Sequence, residues 1–433
     1  MIFMNGIPYF LGDQFSLIDV EVTTINLPIN KLNFNRQQPS RSRQISSVVY
    51  KRISIPIDLM RYKSRSTIAK PIEITYCTLE EEIAFGPACY LWDYLRKSGL
   101  KGVFVPLSGG IDSCAVTLII YSMCRLVYKD IQNLRNNVID DCQRMFGRLP
   151  TNERDLSNLI MHTSYMGTDY SSVETKQRAA NLAEAINAYH CSVDITDIVN
   201  SFINVVSTVM KRPNISNSHS ENIALQNVQA RSRMVLAYLF SILMPWHRSI
   251  NGNLLVMSTA NVDEALRGYF TKYDCSSGDL NLIGSISKLD LNRFVRYCKS
   301  EFNLPLLDDF LNAVPTAELR PLEDCQSDEK EMKMSYAELS IYGRLRKISK
   351  CGPLGMYRQL LIEWPQCSPQ EIFEKVKLFF DYYGINRHKM TVLTPSYHAE
   401  SYSPDDNRFD LRPFLYLGWK SFYALIEKQI KSD

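Results

Sequence analysis

Residues 103–113, VFVPLSGGIDS, join a short β-branched apolar run to a turn of one serine and two glycines. Asp112 and Ser113 then open the apolar stretch CAVTLIIYSMC. The strand–loop–helix order predicted here would present backbone N–H groups at a helix N-terminus, where anionic oxygens are best stabilised. Gly109 and Gly110 let the backbone approach a phosphate closely, and Ser108 and Ser113 can add hydroxyl hydrogen bonds. No Gly-Lys-Ser/Thr follows the glycines, so this is not a Walker loop. A plain turn is the competing reading, but the strand before it and the helix after it favour an ATP phosphate site of another kind.

A second cluster follows a later apolar run: Ser258, Thr259, Asn261, Asp263 and Glu264, then Tyr269, Thr271, Lys272, Tyr273, Asp274 and Asp279. Carboxylates beside hydroxyls at a strand end suit a Mg²⁺ ion that keeps waters and bridges phosphates. The alternative is an N-cap with two acids complementing a helix dipole. Lys288, in SISKLD, stands at a predicted helix start, where a cation opposes the dipole. A phosphate partner accounts for it better than solvent.

Alternating strands and helices would position these groups. TLEEEIAFGPACYLWDYLRKSGL, from Thr78, predicts an amphipathic helix with Thr78 as cap and acids in its first turn. Strands are expected at Gly102–Leu107, Ser157–Met166, 190–195 and 253–261, with helices at Ser171–Ala188 and Glu221–Met244. That order predicts an α/β fold with a doubly wound, mainly parallel sheet, whose ligands bind beyond the strand C-termini. From about Leu291 the pattern is mostly helical. Pro315–Ser335, with its charged run SDEKEMKMS, reads as a long surface loop or lid. Residues 1–34 predict two or three strands that cannot form a core alone, and 35–47 a basic, mobile loop.

At 433 residues the chain is long enough for two to three domains of about 150 residues. Hydrophobic residues make up 45% and charged residues 22%, which allows an ordinary globular core. A net charge of +3 points to no nucleic-acid or membrane partner. The eleven cysteines form no CxxC pair and read as reduced thiols of a cytoplasmic protein, without a zinc site. No signal peptide is apparent, and the apolar run Ala115–Cys124 is about half the length needed to span a bilayer.

Six stretches in order, from PLSGGIDS (106–113) to NRHKMTVLTPSYHAESYSPDDNRFDLRPFLY (386–416), resemble the N-type ATP pyrophosphatases. The others are ENIALQNVQARSRMVLAYL (221–239), LLVMSTANVDEALRGYFTKYDCSSGDLNLIGSISKLDL (254–291), PTAEL (315–319) and MSYAELSIYGRLRK (334–347). Within that group they look like the synthetase domain of the eukaryotic glutamine-dependent NAD synthetases, over about Thr78 to Tyr416. The resemblance implies an adenine nucleotide alpha hydrolase-like fold for 78–433. It also implies that 1–60 is the end of a nitrilase-like glutaminase domain, with 61–77 as linker. The implied reaction is amidation of deamido-NAD through an adenylate, with ATP as substrate, Mg²⁺, and release of AMP and pyrophosphate.

Carried over position by position, the resemblance gives an ATP set of Pro106, Leu107, Ser108, Gly109, Gly110, Ile111, Asp112, Ser113, Thr259, Lys288 and Thr316. Ser108, Asp112 and Lys288 would act in catalysis, and Asp112 and Glu264 would hold the metal. Arg231, Lys272, Asp279, His388 and Lys389 would contact deamido-NAD. The family's Glu–Lys–Cys glutaminase triad lies upstream of the stretch that 1–34 matches, and no cysteine here has that context. Free ammonia, or ammonia from another chain, is therefore the expected nitrogen source, and glutamine only if a glutaminase domain is supplied. A homo-oligomer is expected. The competing readings are another ATP pyrophosphatase amidotransferase, such as a GMP or asparagine synthetase, and a non-catalytic regulatory subunit.

Overall fold

Asn5 and Gly6 both have positive φ, 56° and 80°, the signature of the two-residue turn that suits twisted antiparallel strands. They join β1 (Ile2–Met4) to β2 (Ile7–Phe10). In the computed structural model, which describes residues 1–27, 53–54, 56, 68–316, 318–321, 327–398, 402–404 and 418–432, this hairpin belongs to the first of two compact units, Met1–Thr78 and Leu79–Asp433. The β-branched run after Gly12 forms no further strand as far as residue 27. Val20 and Val22 are 77% and 83% exposed, so the alternation has neither a ladder partner nor a covered face. The basic stretch 35–47 and residues 61–67 of the expected linker lie outside the described residues.

The second unit begins with α1 (Leu79–Ser98), whose three first-turn glutamates and last-turn Arg96 and Lys97 match the dipole at both ends. β3 (Val103–Pro106) is buried throughout, as a parallel strand covered on both faces must be. Next comes α2 (Ile111–Gln132), long and apolar enough to cross a membrane by length and composition. That is longer than the run Ala115–Cys124 alone suggests, but Ser113 to Cys124 are all buried within the unit. α3 (Asn136–Phe146) and α4 (Glu153–Ile160) follow.

The expected strand at Ser157–Met166 is corrected here. Asn152 accepts a hydrogen bond from Asp155 N and, with Glu153 and Asp155 in the first turn, starts a helix that runs to Ile160. Only then does β4 (Met161–Gly167) begin.

The remaining α/β units are α5 (Val173–Ala185), β5 (Tyr189–Asp194), α6 (Thr196–Ser207), α7 (His219–His247) and β6 (Leu255–Ser258). Beyond them come α8 (Val262–Arg267), β7 (Leu280–Asn281) and α9 (Lys288–Glu301). At two residues, β7 is too short to show a period in the sequence. The sheet is parallel, in the order β5-β4-β3-β6-β7. Helix α7 lays Met234, Ala237 and Met244 against Phe104 and Val256 of the sheet, while α1, α4 and α9 pack on α2.

The C-terminal part is helical, as expected: α10 (Asp308–Leu311), α11 (Asp328–Met332), α12 (Tyr336–Lys347), α13 (Pro353–Glu363), α14 (Pro369–Asn386) and α15 (Lys420–Ser432). An aromatic core of Tyr342, Tyr357, Phe379, Phe380 and Tyr383 ties α11 through α15 to Leu266 of α8. The reading of SDEKEMKMS as a surface loop is overturned. Met332 is fully buried in this core and Asp328 is only 6% exposed, because two tyrosine hydroxyls donate to its carboxylate.

His162, in the buried strand β4, carries a pH dependence. Arg248 Nη1 lies 2.9 Å from its Nε2, and burial, reinforced by the Arg248 charge, lowers its pKa from 6.5 to about 4. The folded state therefore binds fewer protons than the unfolded state between those values, and stability falls as pH drops through that window. The expected loss is about 3 kcal/mol between pH 6.5 and 4 from this group alone. Urea denaturation across that range should show a steeper slope for the native chain than for His162→Gln; equal slopes would exclude the assignment.

Candidate active site

After β3 the chain moves outward through β4 to β5, then returns to place β6 on the other side of β3. The loops leaving β3 and β6 consequently diverge, and a crevice opens at the strand C-termini. A cavity of about 280 Å³ occupies this place, with Ser108, Gly110 and Asp112 on one wall and Thr259 and Lys288 on another. Ser164, Thr175 and Arg178, with Phe310, Val314, Thr316 and Glu318, complete it.

The glycine loop is held by its own hydroxyls. Ser108 Oγ and Ser113 Oγ are 3.1 Å apart, Gly110 N donates to Ser108 Oγ, and Ser113 Oγ donates to Gly110 O. No side chain caps α2, because Gly110 occupies the N-cap position. Gly109 has φ +78°, and a Cβ there would stand 2.2 Å from the Thr175 carbonyl oxygen of α5. Only glycine lets α5 approach the loop this closely.

Asp112, in the first turn of α2, meets two groups from distant elements. Its Oδ1 accepts from Asn261 Nδ2 at 3.0 Å, and its Oδ2 accepts from the Lys288 ammonium. The same ammonium donates to Glu264 Oε1 at 3.2 Å. Asn261 also caps α8, its Oδ1 accepting from Asp263 N and Glu264 N. This one buried amide thus starts the helix that carries Glu264 and orients Asp112. Lys288 is the first residue of α9, and its backbone N–H donates to Asp263 Oδ2 at 2.8 Å. Tyr336 OH donates to Glu264 Oε1 and Asp328 Oδ2, and Tyr269 OH donates to Asp328 Oδ1 and Glu331 Oε2.

Burial sets the electrostatics. It pushes Glu264 and Asp328 above the usual carboxylate range, against the lowering pull of Lys288. Asp263 rises to about 7 for the same reason. Burial also opposes the Lys288 charge, but Asp112, Glu264 and Asp328 together outweigh it and hold the ammonium protonated. Three carboxyl groups face one ammonium here, and a further cation would favour their ionised forms.

A model of NAD synthase matches residues 88–350, more than half of the chain, and those residues include this whole centre. The chain belongs to the NAD synthase family. It is 50% identical over 435 residues to the glutamine-dependent NAD(+) synthetase of Saccharomyces cerevisiae, covering 96% of this chain and 61% of that one. To the glutamine-dependent NAD(+) synthetase of Arabidopsis thaliana it is 47% identical over 446 residues, covering 100% and 62%. The chain therefore spans about three fifths of the length of the curated relatives it matches. The crystal structure of a glutamine-dependent NAD(+) synthetase from Cytophaga hutchinsonii shares the fold. Its TM-score is 0.66 at 24% identity, over 81% of this chain and 56% of that one.

In this NAD synthase-family chain, Pro106, Leu107, Ser108, Gly110, Ile111, Asp112, Thr259, Lys288 and Thr316 line the cavity. Gly109 and Ser113 brace the loop, and Glu264 joins through Lys288. The five residues carried over for deamido-NAD do not line it. Arg231 Nε donates to the Lys272 carbonyl, which makes those two neighbours. Asp279 accepts from Tyr238 OH and Val256 N. Lys389 donates to the Gly268 and Phe270 carbonyls, and burial lowers its pKa to about 8. His388 is exposed, with its Nδ1 near the Ile385 carbonyl. Asp328 was missed as a site group, because a charged run carries no periodicity that marks burial, whereas Tyr269 belongs to the cluster expected after Glu264.

The two roles of Asn261 can be separated. Asn261→Ser keeps a good N-cap but cannot reach Asp112, so its unfolding free energy should stay within about 0.5 kcal/mol of the native chain. Asn261→Ala should lose about 1 kcal/mol more. Both should lower turnover with ATP by about tenfold, and a fully active Asn261→Ser would show that the contact with Asp112 is dispensable.

Proposed function

We propose that this chain performs ATP-dependent amidation of deamido-NAD to NAD. One observation carries the reading: an uncapped helix N-terminus and glycine loop share a cavity with Asp112 and with Lys288, which binds Asp112 and Glu264 at once. In the first step the nicotinate carboxylate attacks the α-phosphorus of ATP, and the bond to the β-phosphate bridging oxygen breaks to release pyrophosphate. In the second, ammonia attacks the acyl carbon, AMP leaves with the C–O bond pair, and a proton is lost to give the amide.

Neither step needs a nucleophilic side chain. Charge builds on phosphate oxygens, and fixed donors aimed at them are the effective catalyst. The loop N–H groups and the Ser108 hydroxyl would supply such donors, and Thr259 and Thr316, which line the same cavity, would hold the nucleotide. Asp112 and Glu264 fit Mg²⁺: they are hard oxygen donors in a centre where three carboxyl groups face one ammonium. Among the described residues no group of three or more His, Cys, Asp or Glu side chains forms an all-protein cage, which suits a metal shared with substrate phosphates and water. When bound, that ion would neutralise charge developing on the phosphates.

Ammonia is the nitrogen source we propose for this site. Burial raises the pKa of Cys89, Cys114, Cys124, Cys142, Cys191, Cys275 and Cys298, which keeps these thiols protonated and unsuited to attack on a glutamine amide. With deamido-NAD, ATP, Mg²⁺ and ammonium, the purified chain should form NAD, AMP and pyrophosphate in equal amounts. Asp112→Ala should lower that rate by about a hundredfold or more. Unchanged turnover in Asp112→Ala would remove this centre from the reaction, and NAD formed from glutamine alone would overturn the nitrogen source.

A further inference from the structure

We propose that Arg178 binds the β- and γ-phosphates of ATP and the pyrophosphate they become. The proposal rests on reading the cavity as an adenylation site. A polyphosphate brings several negative charges into a cleft where Lys288 is already committed to Asp112 and Glu264. Arg233, a second cavity cation, donates its Nε to the Met166 carbonyl and lies in the field of Glu318 and Asp274. A further positive charge would stabilise the incoming phosphates, and Arg178 lines the same cavity.

Its position follows from α5. Thr175 is the residue whose carbonyl lies against Gly109, and Arg178 stands three residues on, on the same helical face. Both line the cavity. Arg178 Nη1 donates to the Asp309 carbonyl at 3.1 Å, and its Cζ lies 5.8 Å from the Phe310 ring. Among the described residues it forms no ion pair with a carboxylate, and its buried Nε has no hydrogen-bond partner. The guanidinium is thus steadied at one end while its Nε side stays uncommitted. Two parallel N–H groups on that side match two phosphate oxygens, a geometry that a lysine cannot reproduce fully.

The test compares the whole chain with Arg178→Ala, Arg178→Lys and Arg178→Gln, using inorganic pyrophosphate and ATP as probes. Pyrophosphate should raise the melting temperature of the native chain, and Arg178→Ala should need about tenfold more of it for the same shift. In the NAD-forming assay the KM for ATP and the inhibition constant of pyrophosphate should rise together by about tenfold. The KM for deamido-NAD should stay within about twofold, and Arg178→Lys should recover only part of the loss. If Arg178→Ala fails to fold, Arg178→Gln keeps a donor for the Asp309 carbonyl and allows the same comparison. Unchanged pyrophosphate affinity with a lower turnover would reduce Arg178 to a strut on Asp309 and overturn the proposal. A native chain that neither responds to ATP or pyrophosphate nor forms NAD would instead overturn the adenylation reading itself.

Discussion

The Lys288 ammonium, set between Asp112 and Glu264, is the constraint around which the second unit is arranged. An ammonium with so little exposure is tolerable only if carboxylates meet it, and carboxylates so deeply placed need it in return. The three residues arrive from the starts of three helices, α2, α8 and α9. Asp112 and Glu264 are stabilised there by the helix dipoles, whereas Lys288 is opposed by its own. The position of Lys288 therefore serves the centre rather than the helix. Ser287 and Asp290 repair that end of α9 by the usual means, a hydroxyl cap and a first-turn acid.

Topology brings the three starts together. Helices following parallel strands begin at the strand C-termini, so α2 after β3 and α8 after β6 open at one edge of adjacent strands. Lys288 follows β7, the next strand across. No loop has to travel far, and Asn261 can tie α8 to Asp112 with one side chain. Because the donors and acceptors are fixed before any ligand enters, little reorganisation is left for the reaction to drive, which is how electrostatic preorganisation lowers a barrier.

Much of this was legible in the residues. The apolar run ending at Pro106, the glycines and the helix after them specify a strand, a close approach and a helix start, each with its own local signature. The boundaries failed where a local signal competed with a stronger one. Residues 157–160 look apolar enough for a strand, but the Asn152 cap commits them to α4. Asp328 and Met332 look like parts of a charged loop, and only the tyrosines and the aromatic core that meet them explain their burial. Motif matching could name Arg231, Lys272, Asp279, His388 and Lys389, but which residues line the cavity is a property of the folded chain.

The tyrosine relay gives the C-terminal helices a part in the site. Tyr336 opens α12 and touches Glu264 and Asp328, while its ring lies 5.1 Å from the Lys288 ammonium. Tyr269 continues the chain of contacts to Glu331 of α11, the helix that anchors Met332 in the aromatic core. A charge placed beside Lys288 thus acts, through the tyrosine hydroxyls, on a helix packed in the aromatic core. Raised carboxylate pKa values along this path mean that each hydroxyl proton is shared against a group that resists ionisation. Replacing either tyrosine by phenylalanine would leave a buried carboxylate oxygen unmet, so the aromatic core holds the centre by hydrogen bonding as well as by packing.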